Sequence, residues 1–335
     1  MKIAVVRNRA RHGVINEFGT PCPERYGNRT VMRVVRALES AGHAVALLEG
    51  DKTLLAEFER FAPPDPRTRQ PTGLVVNMAY GIQGESRYAH VPAMLELAGV
   101  PYTGASPLGH ALSLDKAVTK RLLQAAGVPT PAFTLMEAPR EPDPGLGYPL
   151  IVKPRRESTS YGLTLARDRA ELDDAVEAIV GRYGQAALVE RYVDGREVCV
   201  ALLGNDPPAV LPAVELSFAD RDLRLMTWED KYHRRADEPA KLCPAPLAPA
   251  QLRGIQAIAR ATFACCHARD YARVDIRIDR DGRPWVLELN SMASLGDGGS
   301  YVRAAEAAGH SFDSLVTRIV EVAHERYGRV CELAA

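Results

Sequence analysis

A chain of 335 residues exceeds what one hydrophobic core usually serves, so two or three domains are expected. Its composition, 46% hydrophobic and 25% charged, is that of an ordinary globular protein, and 42 basic residues against 42 acidic ones give a formal net charge of zero. That balance argues against nucleic acid or a charged membrane surface as a partner, while leaving room for local basic pockets that hold phosphates.

The apolar run in Met1-Lys2-Ile3-Ala4-Val5-Val6-Arg7 is too short for a signal-peptide core, and no later stretch would span a bilayer, so a cytoplasmic protein without a membrane partner is expected. Six cysteines (Cys22, Cys199, Cys243, Cys265, Cys266 and Cys331) show no C-x-x-C pair or zinc spacing, which suits reduced thiols.

The first hundred residues alternate strand and helix. Ile3 to Val6 reads as a strand, and Asn28 to Ala41 as a helix with Val31, Val34, Val35 and Leu38 on one face, stopped by Gly42. Strands at Ala44 to Leu48 and Leu74 to Asn77 and a helix at Pro92 to Ala98 complete an open α/β layer. The polar loop from Arg7 to Gly27 leaves the carboxyl end of a strand, where such sheets bind ligands. Ser113 to Ala126 reads as a helix started by Ser113 or Asp115 and stopped by Gly127.

A surface connection, Met136 to Gly147, leads to an α+β module: strand Pro149 to Lys153, a hydroxyl-rich loop, helix Glu171 to Val180 and strand Ala187 to Tyr192. Strands at Glu197 to Leu203 and Ala209 to Glu215 open a larger module. A polar excursion, Ser217 to Ala248, is long enough to be a lid or binding loop. Helix Ala250 to Cys266, a β-hairpin, a Gly-rich loop and a closing helix at Asp313 to Tyr327 follow.

The hairpin, Arg273 to Ile278 and Trp285 to Asn290 about an Asp281-Gly282 turn, carries the sharpest chemistry. Counting outward from the turn places Asp275 opposite Glu288 and Arg273 opposite Asn290, all on one face. Like charges set opposite each other repel, so the pattern asks for a cation. Asp, Glu and an Asn amide are hard oxygen ligands suited to Mg²⁺. A solvated hairpin face neutralised by Arg273 and Arg277 is the competing reading.

Lys153-Pro154-Arg155-Arg156-Glu157-Ser158-Thr159-Ser160-Tyr161-Gly162 offers a lysine at a strand end and a flexible hydroxyl-rich turn, which together can wrap a polyphosphate. Val189 to Glu197 sets Glu190 and Glu197 seven residues apart beside an apolar run, an arrangement able to meet an adenine edge and a ribose. Either segment could equally be an ordinary polar loop or strand end.

In order, Val100-Pro101-Tyr102-Thr103-Gly104, Ala111 to Lys116 with Thr119-Lys120, Gly127 to Pro131, Ile151 to Pro154, Glu190 with Glu197, Asp230-Lys231-Tyr232, Cys243-Pro244-Ala245 and the hairpin ending Glu288-Leu289-Asn290 resemble the ATP-grasp superfamily, and within it the D-alanine:D-alanine ligase group. The resemblance runs from about Leu74 to the C-terminus. It implies an ATP-grasp fold, α/β and α+β, with an N-terminal open α/β domain (1–104), a small central subdomain (105–190) and a C-terminal domain with the metal hairpin (191–335), the last two clamping ATP. It further implies a homodimer joined through the N-terminal layer.

The implied activity is ATP-dependent carboxylate–amine ligation through an acylphosphate, with small-molecule substrates. Lys116, Lys153, Ser158 and Gly162 would serve the nucleotide phosphates, and Glu190, Val193 and Glu197 the adenine and ribose. Asp275, Glu288 and Asn290 would hold Mg²⁺, two ions, at a site that also accepts Mn²⁺. Arg273, Lys231, Tyr232, Thr159 and Ser160 would be catalytic, and Glu85, Arg7, Gly299 and Ser300 would meet substrate.

The substrate loops depart from the group's pattern. Its Gly-Gly-x-Ser-x-Glu loop is replaced by Arg7-Asn8-Arg9-Ala10-Arg11-His12-Gly13, leaving Glu17 and Glu24 as candidate acids, and its Thr-Ser-Pro-Gly-Met by Ser291 to Ser300. Arg7, Arg9, Arg11 and Arg87 form either a pocket for a more acidic donor or a solvated rim. The expectation is a specialised ligase joining an amino acid to another small molecule. A D-alanine:D-alanine ligase of peptidoglycan synthesis is the alternative, followed by a mycosporine-type imine-forming ligase and a catalytically silent nucleotide-binding protein.

Overall fold

The structure, a computed structural model, describes residues 1–9, 14–16, 24–219, 221, 224–226, 228, 230 and 239–334. Its N-terminal layer is a parallel sheet in which β1 (Lys2–Arg7) lies between β2 (Ala44–Glu49) and β3 (Gly73–Asn77). Alternation along β1 feeds two cores. Ile3 and Val5 join a cluster with α1 (Asn28–Ser40), while Ala4 and Val6 face α2 (Leu54–Phe61) and α3 (His90–Leu97).

The helix expected over Ser113 to Ala126 is two helices. In α4 (Pro107–Leu114) Ser106 is the N-cap, its Oγ accepting from the Gly109 N–H at 3.1 Å, with Pro107 in the first turn. The backbone breaks at Asp115, which then caps α5 (Lys116–Ala125) by accepting from the Val118 N–H at 3.1 Å. Leu123 and Val128 pack into the core under the C-terminal sheet.

An antiparallel sheet follows, ordered β4 (Phe133–Met136), β7 (Ala187–Arg191), β5 (Leu150–Pro154), β6 (Thr164–Ala166), and covered by α6 (Arg169–Tyr183). Asp168 caps α6 by accepting from the Glu171 N–H at 2.9 Å, and Gly184 ends it in the left-handed conformation at φ 60°. The apolar core of this sheet is its own, made of residues between Met136 and Val189.

The C-terminal sheet runs β11 (Ala240–Leu242), β10 (Val214–Ser217), β8 (Gly195–Leu203), β12 (Tyr271–Asp279), β13 (Pro284–Asn290), with β9 (Ala209–Val210) on the edge of β8. The single strand expected over Ala209 to Glu215 is interrupted at Pro212, which has no N–H to give a ladder. One face packs on α7 (Pro249–Cys265). The other faces α8 (Ser300–Ala307), which begins inside the segment read as a Gly-rich loop, and α9 (Phe312–Ala334). These last two helices share one core with β1 and α1, so the N-terminal layer and the C-terminal sheet are apolar neighbours.

Candidate active site

The hairpin of β12 and β13 has the expected register where it matters: Asp275 lies opposite Glu288, and Arg273 opposite Asn290. It gets there by compensation. The turn closes with the Gly282 N–H donating to the Asp279 carbonyl at 3.0 Å and Gly282 at φ 83°, so Ile278 pairs with Pro284, one residue off the simple count. A bulge next to Asp275, with Leu287 as the extra residue, restores the count.

On the other side β8 brings Glu197 opposite Arg277 and Cys199 opposite Asp275. Period-two alternation therefore gathers Arg273, Asp275, Arg277, Glu197, Glu288 and Asn290 on one face. The two arginines divide their partners. Arg273 holds Asp275 with two bonds of 2.7 Å, whereas the buried Arg277 donates to Glu197 at 2.9 Å and to the Val193 carbonyl at 2.9 Å. Asn290 Nδ2 donates to Asp275 at 3.0 Å and to Glu288 at 3.4 Å, tying the facing carboxylates together.

Beneath this face, β5 and β7 and helix α5 build a buried trio. Lys153 Nζ lies 2.5 Å from Glu190 Oε1, and Lys120 Nζ lies 2.8 Å from Glu190 Oε2. Burial pushes the Glu190 carboxyl up, but the two ammonium groups outweigh it and hold it at about 2. Burial pulls Lys120 down to about 8, with Glu190 opposing. Lys116, whose ammonium donates to the Glu157 carbonyl, is lowered by burial against the pull of Glu288.

A cleft of about 70 Å³ lies between the two sheets, lined by Lys116, Lys153, Ser158, Ser160, Glu197, Asp275 and Glu288 among others. A second, of about 600 Å³, opens further along the same face of the hairpin, with Glu24, Tyr26, Tyr80, Thr159, Arg273, Asn290, Gly299, Ser300 and Arg303 in its wall. Asp275 and Glu288 border both. Between them lies the loop 158–162, with Thr159 at φ 58° and Ser160 at φ 59°, a left-handed conformation that non-glycine residues seldom adopt. Ser158 Oγ and the Tyr88 hydroxyl both donate to one carboxylate oxygen of Glu24.

Comparison with known proteins agrees with this geometry. A family model described as D-ala D-ala ligase C-terminus matches residues 122–321. A D-alanine–D-alanine ligase of Halorhodospira halophila is 36% identical over 312 residues, covering 90% of this chain and 98% of that protein. The chain belongs to the D-alanine–D-alanine ligase family. An uncharacterised protein, y4sG, of Sinorhizobium fredii is 51% identical over 331 residues, 98% of each chain. In fold, a D-alanine–D-alanine ligase of Bacillus anthracis solved with ATP superimposes with a TM-score of 0.76 at 18% identity, covering 98% of both chains. One from Coxiella burnetii does so at 0.74 and 21%, covering 100% of this chain and 97% of that one.

As a member of this family the chain has the ATP-grasp fold and is an ADP-forming, ATP-dependent carbon–nitrogen ligase. Of the residues singled out from sequence, Lys116, Lys153, Ser158, Ser160 and Glu197 meet in the smaller cleft, and Thr159, Arg273, Asn290, Gly299 and Ser300 in the larger. Glu190 is buried behind Lys153, and Gly162 packs where a Cβ would lie 2.8 Å from Pro154 Cγ and from Tyr183 Oη. Lys231 and Tyr232 lie outside the described residues, as do Arg11 and Glu17.

Three of the residues singled out from sequence stand outside both clefts. Glu85 is 75% exposed in its side chain and pairs with Arg156 at 2.9 Å, and it lines neither cleft. Arg7 is engaged by Glu49 at 3.1 Å and Asn28 at 2.7 Å, because the parallel pairing of β1 with β2 sets Arg7 beside Glu49. Arg87 is no solvated rim: it is buried and paired with the buried Glu157 at 3.0 Å.

Sequence reasoning missed Lys120 as a site residue, although its place one helical turn after Lys116 puts both on one face of α5. It also missed the stack of Tyr26 on Tyr80, centroids 5.1 Å apart, with Tyr88 tilted against Tyr80 at 5.3 Å. The residues Asp275, Glu288 and Asn290 fit Mg²⁺: two facing carboxylates border both clefts, and the Asn290 amide beside them, its Nδ2 now turned to both, carries the further hard oxygen. Among the described residues no helix is long and apolar enough to cross a membrane.

Proposed function

We propose that this ligase joins two amino acids through an acylphosphate, with D-alanine as both donor and acceptor. The observation that carries the reading is Glu24, held by Ser158 and Tyr88 in the wall of the larger cleft. It supplies the acid for a substrate ammonium that the altered first loop otherwise lacks. The Halorhodospira halophila relative, a D-alanine–D-alanine ligase at 36% identity, supports the same substrate.

A carboxylate is a poor acyl donor. Transfer of the γ-phosphoryl group to it creates a good leaving group, which the amine of the second substrate displaces as phosphate. Lys116 and Lys153 would meet the phosphates, while Glu190, the Val193 backbone and Glu197 would fix adenine and ribose. Asp275, Glu288 and Asn290 would hold Mg²⁺, which when bound neutralises charge developing on phosphate oxygens. Arg273 would stabilise the tetrahedral oxyanion, and Thr159 and Ser160 would close over the phosphates and keep water out. Lys231 and Tyr232 belong to this set by resemblance.

A different donor or acceptor, as in a specialised ligase, is favoured by one observation: the larger cleft is bordered by Arg25, Lys241 and Arg303, more cations than an alanine needs. Coupled ADP release across a matrix of carboxylic acids and amines tests both readings, with D-alanine alone as one cell and an Asp275→Ala/Glu288→Ala protein as control. Turnover with D-alanine alone supports the first reading; silence there with turnover elsewhere overturns it.

A further inference from the structure

Two lysines and one glutamate are buried together, which leaves one positive charge over. We propose that Lys120 is a positioning residue, the permanent counter-ion of Glu190, and that its task is to leave Lys153 free for the nucleotide phosphates. The inference rests on the reading that Lys153 binds phosphate.

The two lysines reach opposite oxygens of the same carboxylate, at 2.5 Å for Lys153 and 2.8 Å for Lys120, but their surroundings differ. Lys153 retains 8% exposure in its side chain and lines the smaller cleft, whereas Lys120 is fully buried and does not. Lys120 is also tethered. Its Nζ donates to Thr130 Oγ1 at 2.7 Å, that hydroxyl donates to the Val286 carbonyl of β13 at 2.8 Å, and the Phe133 ring lies 5.4 Å away.

If Lys153 were the sole partner of Glu190, its departure to a phosphate would strand a buried carboxylate, an expensive state. With Lys120 fixed in place, the Lys120–Glu190 pair stays neutral and the surplus charge resides on Lys153, at the cleft. Helix α5 thus supplies from one face a lysine for the cleft, Lys116, and a lysine that balances the acid behind it.

The test is a double-mutant cycle read in KM for ATP and in kcat. Lys120→Gln removes the charge and leaves an amide donor, one bond shorter, toward Thr130. Glu190 should then claim Lys153, raising KM for ATP about tenfold while kcat changes less than about threefold. In the Glu190→Gln background the same change should have almost no effect, so that KM of the double variant matches that of Glu190→Gln within about twofold. Equal penalties for Lys120→Gln in both backgrounds overturn the proposal and leave Lys120 a packing residue. Should Lys120→Gln fail to fold in thermal melting, Glu190→Gln against Lys120→Gln/Glu190→Gln decides, since neither buries an unpaired carboxylate. Lys153→Met separates the premise: an unchanged KM for ATP there removes the phosphate role of Lys153 and overturns the inference with it.

Discussion

Arg273 grips both oxygens of Asp275, Nε and Nη2 each 2.7 Å away. A guanidinium and a divalent cation cannot both take the whole of one carboxylate, so the two compete. Arg273→Ala should therefore bind Mn²⁺ more tightly in the absence of nucleotide, by roughly threefold or more, yet release ADP about a hundredfold more slowly for want of oxyanion stabilisation. Calorimetric titration with Mn²⁺ and coupled ADP release read the two signs; weaker ion binding in the variant would show that Asp275 is not the shared group.

Stability should fall on acidification through His110. It is buried, its Nδ1 2.9 Å from Ser291 Oγ, and burial, with the charge of Arg269 assisting, pulls its imidazolium down to about 3 from an ordinary 6.5. Below the unfolded value the unfolded chain takes up a proton that the folded one refuses, so this contribution is complete above about pH 6.5 and is lost as pH drops toward 3. Urea unfolding between about pH 7 and about pH 4 should show a slope that His110→Gln reduces by about one proton.

Gly162 sits at φ 74°, where a Cβ would press on Pro154 and Tyr183, both 2.8 Å away. Gly162→Ala should cost about 1–3 kcal/mol and raise KM for ATP, because the closing loop loses its seat. Gly145→Ala is the control, at φ 66° with nothing within 4 Å: it carries the dihedral strain alone and should leave KM unchanged.

Asp270 joins three parts of the chain. Its carboxylate accepts from the Gly104 N–H at 2.8 Å, from Asn205 at 3.0 Å and from Arg326 through two bonds of 2.9 Å, while fully buried. Asp270→Ala strands Arg326 and the Gly104 N–H together, an expected loss of about 3–5 kcal/mol in denaturant unfolding. Asp270→Asn, which keeps an acceptor, should lose less.

What could be read from the sequence was what local periodicity encodes. Alternation along β12 and β13 fixed which side chains share a face, and the Asp275–Glu288 pairing survived an error in the turn because the Leu287 bulge cancelled it. Partners chosen by tertiary folding were out of reach. Glu24 finds Ser158 across 134 positions, and Arg7 is spent on Glu49 only because β1 and β2 run parallel. Helix α4 was legible in the Ser106-Pro107 start but was passed over, and α8 was hidden by the glycines before Ser300. Asp297, Gly298 and Gly299 read as loop and are loop; the helix begins at the next residue.

The N-terminal layer and the C-terminal sheet are joined by one apolar core, while the four-stranded sheet keeps a core to itself. Its ties to the remainder include Asp115 with Arg155 and Arg156, Arg87 with Glu157, Glu24 with Ser158 and Lys120 with Glu190. The four-stranded sheet is thus fastened to the rest by polar ties, while the other two layers are welded by a shared apolar core.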